Sequence, residues 1–288
     1  MIPRPFVYHA PESLQAAIAL LRDHGDQAKL LAGGHSLLPM MKLRFAAPEH
    51  LIDLGRIAAL RGIELVGNEV RIGAMTSERE ILASPLLAEH LPLLVETARQ
   101  IADPQVRTKG TIGGDIAHGD PGNDHPAVML ALGAHFVLVG PTGERVVQAA
   151  DFFLGTYVTA LEPDEVMTEI RIPKPAAGSG TCYAKLKRKT GDFATAAAAV
   201  VLRVEQGRCA SVAIGLTNLA PMAMRAEAAE AALSGHPVDG AAIAQAGRLA
   251  AEACEPGADL RGDEDYKKAM AGQMVQRALR TALSRCTG

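Results

Sequence analysis

The sequence predicts an α+β fold built in three successive units. Three observations carry that expectation. The first 57 residues join one helical stretch to short apolar strands, a small α/β arrangement. From Gly62 the apolar period changes to two, and strands and helices then mix up to residue 175. Beyond a Pro/Gly-rich stretch, strands come first and helices follow, as in an α+β module. The units are expected at 1–57, 58–175 and 176–288, and 288 residues leave room for a useful core.

In the first unit Ser13 is placed to cap a helix with Leu14, Ala17, Ile18 and Leu21 on one face, and Gly25 ends it. A strand over Lys29–Leu31 runs into Ala32-Gly33-Gly34, and Leu51–Leu54 forms a second strand. In the next unit Ile63–Leu65 and Val70–Ile72 flank Gly67-Asn68 as a hairpin. Ser77 and Glu80 form a capping box for the following helix. Another helix spans 92–101, with Leu94, Ala98 and Ile101 on one face. A long Gly/Asp-rich loop then leads to a short helix near Pro126–Leu132. Strands follow at Phe136–Val139 and Arg145–Val147, then at Glu169–Ile172. Pro173–Gly180 is a linker. The last unit has strands at 183–188, 196–204 and 209–216, and helices over 223–233, 240–253 and 263–283. In the final helix Tyr266, Met270, Met274 and Ala278 recur every four residues, a core stripe.

Composition excludes several classes of function. A net charge of -3 without a block of like charges argues against nucleic acid and anionic lipid. The basic stretch Lys185–Lys189 reads as a solvated strand face. Cys182, Cys209, Cys254 and Cys286 lie too far apart for iron–sulfur or zinc spacings, and are too few for a disulfide scaffold. The N-terminus lacks a signal pattern, and the apolar run 196–202 is far shorter than a membrane span. A soluble, cytoplasmic protein is expected, with any contact at the inner face of the membrane made through a larger complex.

Two glycine clusters stand out. In Leu31-Ala32-Gly33-Gly34-His35-Ser36-Leu37, a strand ends in paired glycines, which tolerate φ > 0 and leave backbone N–H groups unobstructed, as a phosphate cradle requires. Ser36 and His35 add side-chain donors. Gly110-Thr111-Ile112-Gly113-Gly114-Asp115 offers a second such combination. Each alone is equally compatible with a tight turn; together they suit the two phosphates of a dinucleotide. Neither is the GxGxxG of a Rossmann turn or a P-loop. His118, Asp120, Asp124 and His125 crowd the next segment and invite a metal reading. Helix capping by Asp124, with Pro126 in the first turn, accounts for them without a metal.

Three long strings are more specific than either glycine pair: AGGHSLLPMMKLR (32–44), IADPQVRTKGTIGGDIAHGDPGNDHPA (101–127) and YAKLKRKTGDFATAAAAVVL (183–202). They resemble the flavoprotein subunit of the molybdenum hydroxylases, and within that group the medium subunit of carbon monoxide dehydrogenases. The resemblance spans nearly the whole chain. It implies a vanillyl-alcohol-oxidase-type FAD-binding fold of two α/β subdomains followed by an α+β C-terminal module. It implies that Ala32, Gly33, Gly34, His35, Ser36 and Leu37 hold a non-covalent FAD on one side, and Thr111, Gly113, Gly114 and Asp115 on the other. Asp124 matches an acid that contacts FAD in relatives, Ile101 and Phe193 fall beside the isoalloxazine ring, and Lys185 joins the set by a looser match. Relatives often carry Tyr at the position of Phe193, so a hydroxyl contact is missing here.

The function so implied is electron transfer by an FAD subunit, with no catalytic residue or metal ligand of its own. A large partner subunit would carry the molybdenum cofactor with copper and oxidise CO with water to CO2. A small one would carry two [2Fe-2S] clusters, the whole forming a dimer of heterotrimers, with an external acceptor such as a quinone. Competing readings are a flavin subunit serving an N-heterocycle or aldehyde hydroxylase, a free-standing flavin oxidase or dehydrogenase, and a metal-dependent hydrolase at His118, Asp120, Asp124 and His125.

Overall fold

A computed structural model of the chain describes residues 2–286. The first unit comprises β1 (Val7–His9), α1 (Leu14–His24), β2 (Ala28–Leu31), α2 (Leu37–Leu43) and β3 (His50–Asp53). Its strands form a parallel sheet in the order β1-β3-β2, with Val7 and Ala28 both opposite His50. Ser13 caps α1 as expected, its Oγ accepting from the Ala16 N–H at 3.2 Å, and Gly25 ends the helix at φ 51°. Ala17, Ile18 and Leu21 pack on Ala28 and Ile52 of the sheet. Two elements were not expected. β1 is only three residues long, and α2 contains Pro39. The proline lies in the first turn of α2, where its missing N–H had no intrahelical partner to lose.

The second unit holds β4 (Ile63–Val66), β5 (Glu69–Gly73), α3 (Glu78–Ala83), α4 (Pro85–His90), α5 (Pro92–Gln100), α6 (Pro104–Lys109), α7 (Ile112–His118), α8 (Asp124–Leu132), β6 (His135–Gly140), β7 (Gly143–Gln148), α9 (Ala149–Phe152), β8 (Phe153–Gly155), β9 (Val158–Thr159) and β10 (Val166–Pro173). An antiparallel sheet runs β4-β5-β10-β6-β7. The capping box is present: Ser77 Oγ accepts from the Glu80 N–H at 3.3 Å, and Glu80 Oε2 accepts from the Ser77 N–H at 2.7 Å. The stretch expected as a long loop instead contains α6 and α7. Asp103 Oδ1 takes the N–H groups of Gln105 and Val106 at 2.8 and 3.0 Å, and Pro104 occupies the first helical position. Helix α8 is buried along all nine of its residues.

The remaining elements are β11 (Gly180–Leu186), β12 (Ala196–Glu205), β13 (Arg208–Thr217), β14 (Met224–Arg225), α10 (Glu227–Leu233), α11 (Gly240–Ala253) and α12 (Glu264–Arg285). The antiparallel sheet β11-β12-β13-β14 packs one face on α11 and α12 and lends Tyr183, Ala197 and Ala199 to the core around α8. Helix α10 begins four residues later than expected, because β14 takes up residues 224 and 225. In α12 Met274 and Ala278 are core, but Tyr266 is 45% exposed. Lys267 is the buried residue of that turn, its Nζ donating to Gly257 O at 2.7 Å and pairing with Asp259 at 3.0 Å.

Candidate functional site

A cleft of about 720 Å³ gathers every residue that the family resemblance implied for FAD. Ala32, Gly33, Gly34, His35, Ser36 and Leu37 reach it from the β2–α2 turn. Ile101 comes from the end of α5, and Thr111, Gly113, Gly114 and Asp115 from the start of α7. Asp124 opens α8, Lys185 lies on β11, and Phe193 lies in the connection to β12.

The first glycine segment is an open nest. The N–H groups of Gly34, His35, Ser36 and Leu37 have no protein acceptor among the described residues. Gly34 holds φ +75°, which glycine alone adopts without strain. At Gly33 a Cβ would overlap Lys109 O and stand 2.8 Å from Gly110 Cα, so the two glycine segments touch backbone to backbone. His35 Nδ1 lies 2.9 Å from Gly33 O; a carbonyl only accepts, so that nitrogen carries the proton and Nε2 is left to face outward as the acceptor in the neutral ring.

The second segment differs from the cradle expected of it. It is the first turn of α7, and its N–H groups are already bonded: Ile112 to Thr76 O at 3.0 Å, Gly113 to Ala74 O at 2.9 Å, and Gly114 to Thr111 Oγ1 at 3.2 Å. Its glycines serve proximity instead. A Cβ on Gly113 would stand 2.6 Å from Ala74 O, and one on Gly114 would stand 3.3 Å from Ala32 Cβ. What this wall offers the cleft is side chains, Thr111 and Asp115.

Behind it lies a buried set of charges. His125, fully buried, meets both oxygens of Glu78 at 2.9 and 3.0 Å. Burial alone would lower the pKa of His125; Glu78, with Asp115 and Asp124, outweighs it and raises it to about 9. Burial, reinforced by Glu78 and Asp124 and opposed by His125, pushes Asp115 up to about 7. Asp115 Oδ2 and His125 Nδ1 are buried without a protein partner. Asp124 does not cap α8 through its carboxylate. It accepts from the Tyr183 hydroxyl and pairs with Lys185 Nζ at 2.6 Å. Lys185 is therefore not on a solvated strand face, since its side chain is 1% exposed. The metal reading fails on the same geometry. His118, Asp120, Asp124 and His125 do not converge on one point among the described residues.

At the rim, Phe193 is 45% exposed and Arg261 stands 5.4 Å from its ring centre, anchored to Asp192 at 3.0 Å. Tyr157, at φ +60°, lies beside His118 and donates to Asp120 Oδ2 at 3.3 Å. Sequence reasoning missed Glu78, Tyr157 and Arg261 as neighbours of the site. Glu78 was hidden inside a helix start, and tertiary folding alone brings Tyr157 to the cleft and Arg261 over Phe193.

Two family patterns cover the chain. "FAD binding domain in molybdopterin dehydrogenase" matches residues 4–175, and "CO dehydrogenase flavoprotein C-terminal domain" matches residues 181–282. The chain belongs to the flavoprotein family of the molybdopterin dehydrogenases. The carbon monoxide dehydrogenase medium chain of Hydrogenophaga pseudoflava, a member, is 59% identical over 99% of this chain and 100% of its own length. A solved structure of carbon monoxide dehydrogenase from that organism, lacking the Mo-pyranopterin moiety of its cofactor, matches at 62% identity. Its TM-score is 0.99, with 100% of both chains covered. The nicotine 6-hydroxylase medium subunit of Paenarthrobacter nicotinovorans, another family member, is 35% identical over 94% of this chain and 95% of its own.

FAD is the cofactor this family's first domain binds, and the residues present fit it. Four consecutive free N–H groups meet the need of a diphosphate for donors. A side chain at Gly33 would collide with the Lys109 carbonyl, so the bare glycine lets the two walls of the cleft meet beside those donors. The unpartnered Asp115 oxygen suits a hydroxyl-bearing chain beside the phosphates.

Proposed function

We propose that this chain is the FAD-carrying subunit of a carbon monoxide dehydrogenase. Full-length identity of 59% to a carbon monoxide dehydrogenase medium chain carries the reading, against 35% to a flavin subunit serving nicotine. Bound FAD supplies a junction between one- and two-electron carriers, here the [2Fe-2S] clusters of a small partner subunit and an external acceptor such as a quinone. The oxidation of CO with water to CO2 falls to a large partner subunit with molybdenum and copper, in a cytoplasmic dimer of heterotrimers.

Within the cleft, the N–H groups of Gly34 to Leu37 bind the diphosphate, with Ser36 adding a hydroxyl. Asp115 and Thr111 hold the polar chain that follows. Ile101 and Phe193 exclude water from the ring, and Asp124 is fixed toward it by Tyr183 and Lys185. Lys185 offsets the charge of Asp124, which in so buried a place would otherwise cost several kcal/mol. The three units divide at 57/58 and 175/176, and the cleft draws on all three.

The purified, FAD-loaded chain is exposed to CO without oxygen, and the two partner chains are then added. The yellow flavin band should persist in the first step and bleach in the second. Bleaching without partners would place a CO-oxidising centre on this polypeptide and overturn the reading.

A further inference from the structure

Outside the cleft, one cluster of side chains has a chemistry that flavin binding does not use. His9 ends β1, His24 ends α1 and His50 opens β3. None of the three lines the cleft. His9 and His50 sit on adjacent parallel strands, with His9 opposite Ile52. His9, His50 and Ile52 therefore share the face that packs on α1, where His24 is the last residue. All three rings are half-buried, and each can present a nitrogen within 4.8 Å of the other two.

The pair His9 Nε2 and His50 Nδ1 face each other at 3.0 Å across a single shared proton. Two nitrogens held at zinc's usual bond length around a tetrahedral ion stand about 3.3 Å apart. Exchange of that proton for a metal ion thus requires only a small separation of the two rings. His24 stacks on His50 with ring centres 3.6 Å apart and 8° between planes. Parallel rings cannot aim in-plane lone pairs at the same ion, so His24 must turn. As the last residue of α1, next to Gly25, His24 would make that turn about its side-chain torsions.

We propose that His9, His24 and His50 form a site for a borderline divalent cation of the zinc, nickel or copper class. The chemistry is selective: three imidazoles suit these ions and not magnesium or calcium, which require oxygen ligands. A fourth position stays open to water because the rings are only half-buried. The ion would tie the short strand β1, already paired with β3, to the end of α1 as well. No HxH or HxxxH spacing announces the site, since its ligands come from residues 9, 24 and 50.

The test is zinc titration of the full FAD-loaded chain, freed of metals, in competition with a chromophoric chelator. Its melting temperature is followed with and without zinc. One equivalent should bind and raise the melting temperature. His24→Gln, at the half-buried last residue of α1, should keep the fold and weaken binding by roughly tenfold or more, a loss that removal of even an outer-shell partner can cause. His9→Gln/His50→Gln should abolish binding. The proposal is overturned if the parent chain binds no equivalent more tightly than the His9→Gln/His24→Gln/His50→Gln variant, or if His24→Gln binds zinc as well as the parent chain does. Should the triple variant fail to fold, His24→Gln against the parent chain still decides.

Discussion

Gly33-Gly34 and Gly113-Gly114 line the same cleft and have the same composition, yet they act by opposite means. The first pair leaves a run of N–H groups free and holds one residue at positive φ. The second spends its N–H groups on Thr76, Ala74 and Thr111 and uses its missing side chains to let α7 lie against Ala74 and Ala32. The first pair opens a run of donors while Gly33 also admits Lys109 O; the second makes proximity alone. A paired glycine beside a ligand therefore carries no single meaning. Which meaning applies is decided by where the neighbouring N–H groups go.

Substitution should separate the two roles most sharply. Gly113→Val forces carbon against the Ala74 backbone, which cannot give, and overpacking of this kind costs on the order of 3 kcal/mol. A large drop in melting temperature is expected, with flavin lost as a consequence. Gly34→Ala meets only the flexible Leu38 and Leu31 side chains and a φ of +75°, a cost of roughly 1 kcal/mol. That variant should stay folded at room temperature while its flavin-to-protein absorbance ratio falls. Full flavin content in folded Gly34→Ala would remove the nest from the phosphate role, and a wild-type melt for Gly113→Val would remove the packing role.

Acidity should distinguish the two sides next. Behind the second pair, His125 has a pKa raised to about 9 and Asp115 one raised to about 7. A group whose pKa is raised on folding contributes stability that is full below its unfolded value and is lost as pH rises through the folded one. For His125 that window runs from about 6.5 to about 9. Stability should therefore fall across it by on the order of 1–3 kcal/mol, and His125→Gln should flatten the slope. Denaturant unfolding at several pH values measures this, and an unchanged slope in the variant would break the assignment.

The smallest effect concerns the two hydroxyls. Thr111→Ala removes a helix cap and should cost about 1 kcal/mol, recovered by Thr111→Ser. Ser36 makes no capping bond. Ser36→Ala should thus leave stability within about 0.5 kcal/mol and weaken flavin retention alone. Equal stability losses in the two variants would erase the distinction.

Much of this was legible because it is local. The Ser77–Glu80 box and α11 over 240–253 depend on residues within one or two turns. Each string that carries the family resemblance contributes residues to the cleft wall, the first as the continuous run 32–37 and the third as only Lys185 and 191–193. Helices α6 and α7 were missed because Gly and Pro weigh against helix, although Asp103-Pro104 is a start signal that was there to be read. Lys185 was misplaced on a solvated face for a different reason. Its partner Asp124 is 61 residues away, and no window of sequence pairs them. Nor does spacing distinguish a glycine that frees an N–H from one that admits a neighbour, since that depends on what folds against it.

Helix α8 has no solvent face. It begins at Asp124, packs against β12 and β13 as well as β10, and presses the Ala127 carbonyl so closely on Gly215 of β13 that a single methyl group there would collide with it. The two family patterns meet at residues 175 and 181, but in the folded chain this helix is a rivet through both plates. The end of the cleft that carries Asp124 and Lys185 can then neither gape nor shear without breaking a packed interior. A tilt of the C-terminal sheet would be felt at Asp124 as a displacement of Lys185 rather than absorbed by a hinge.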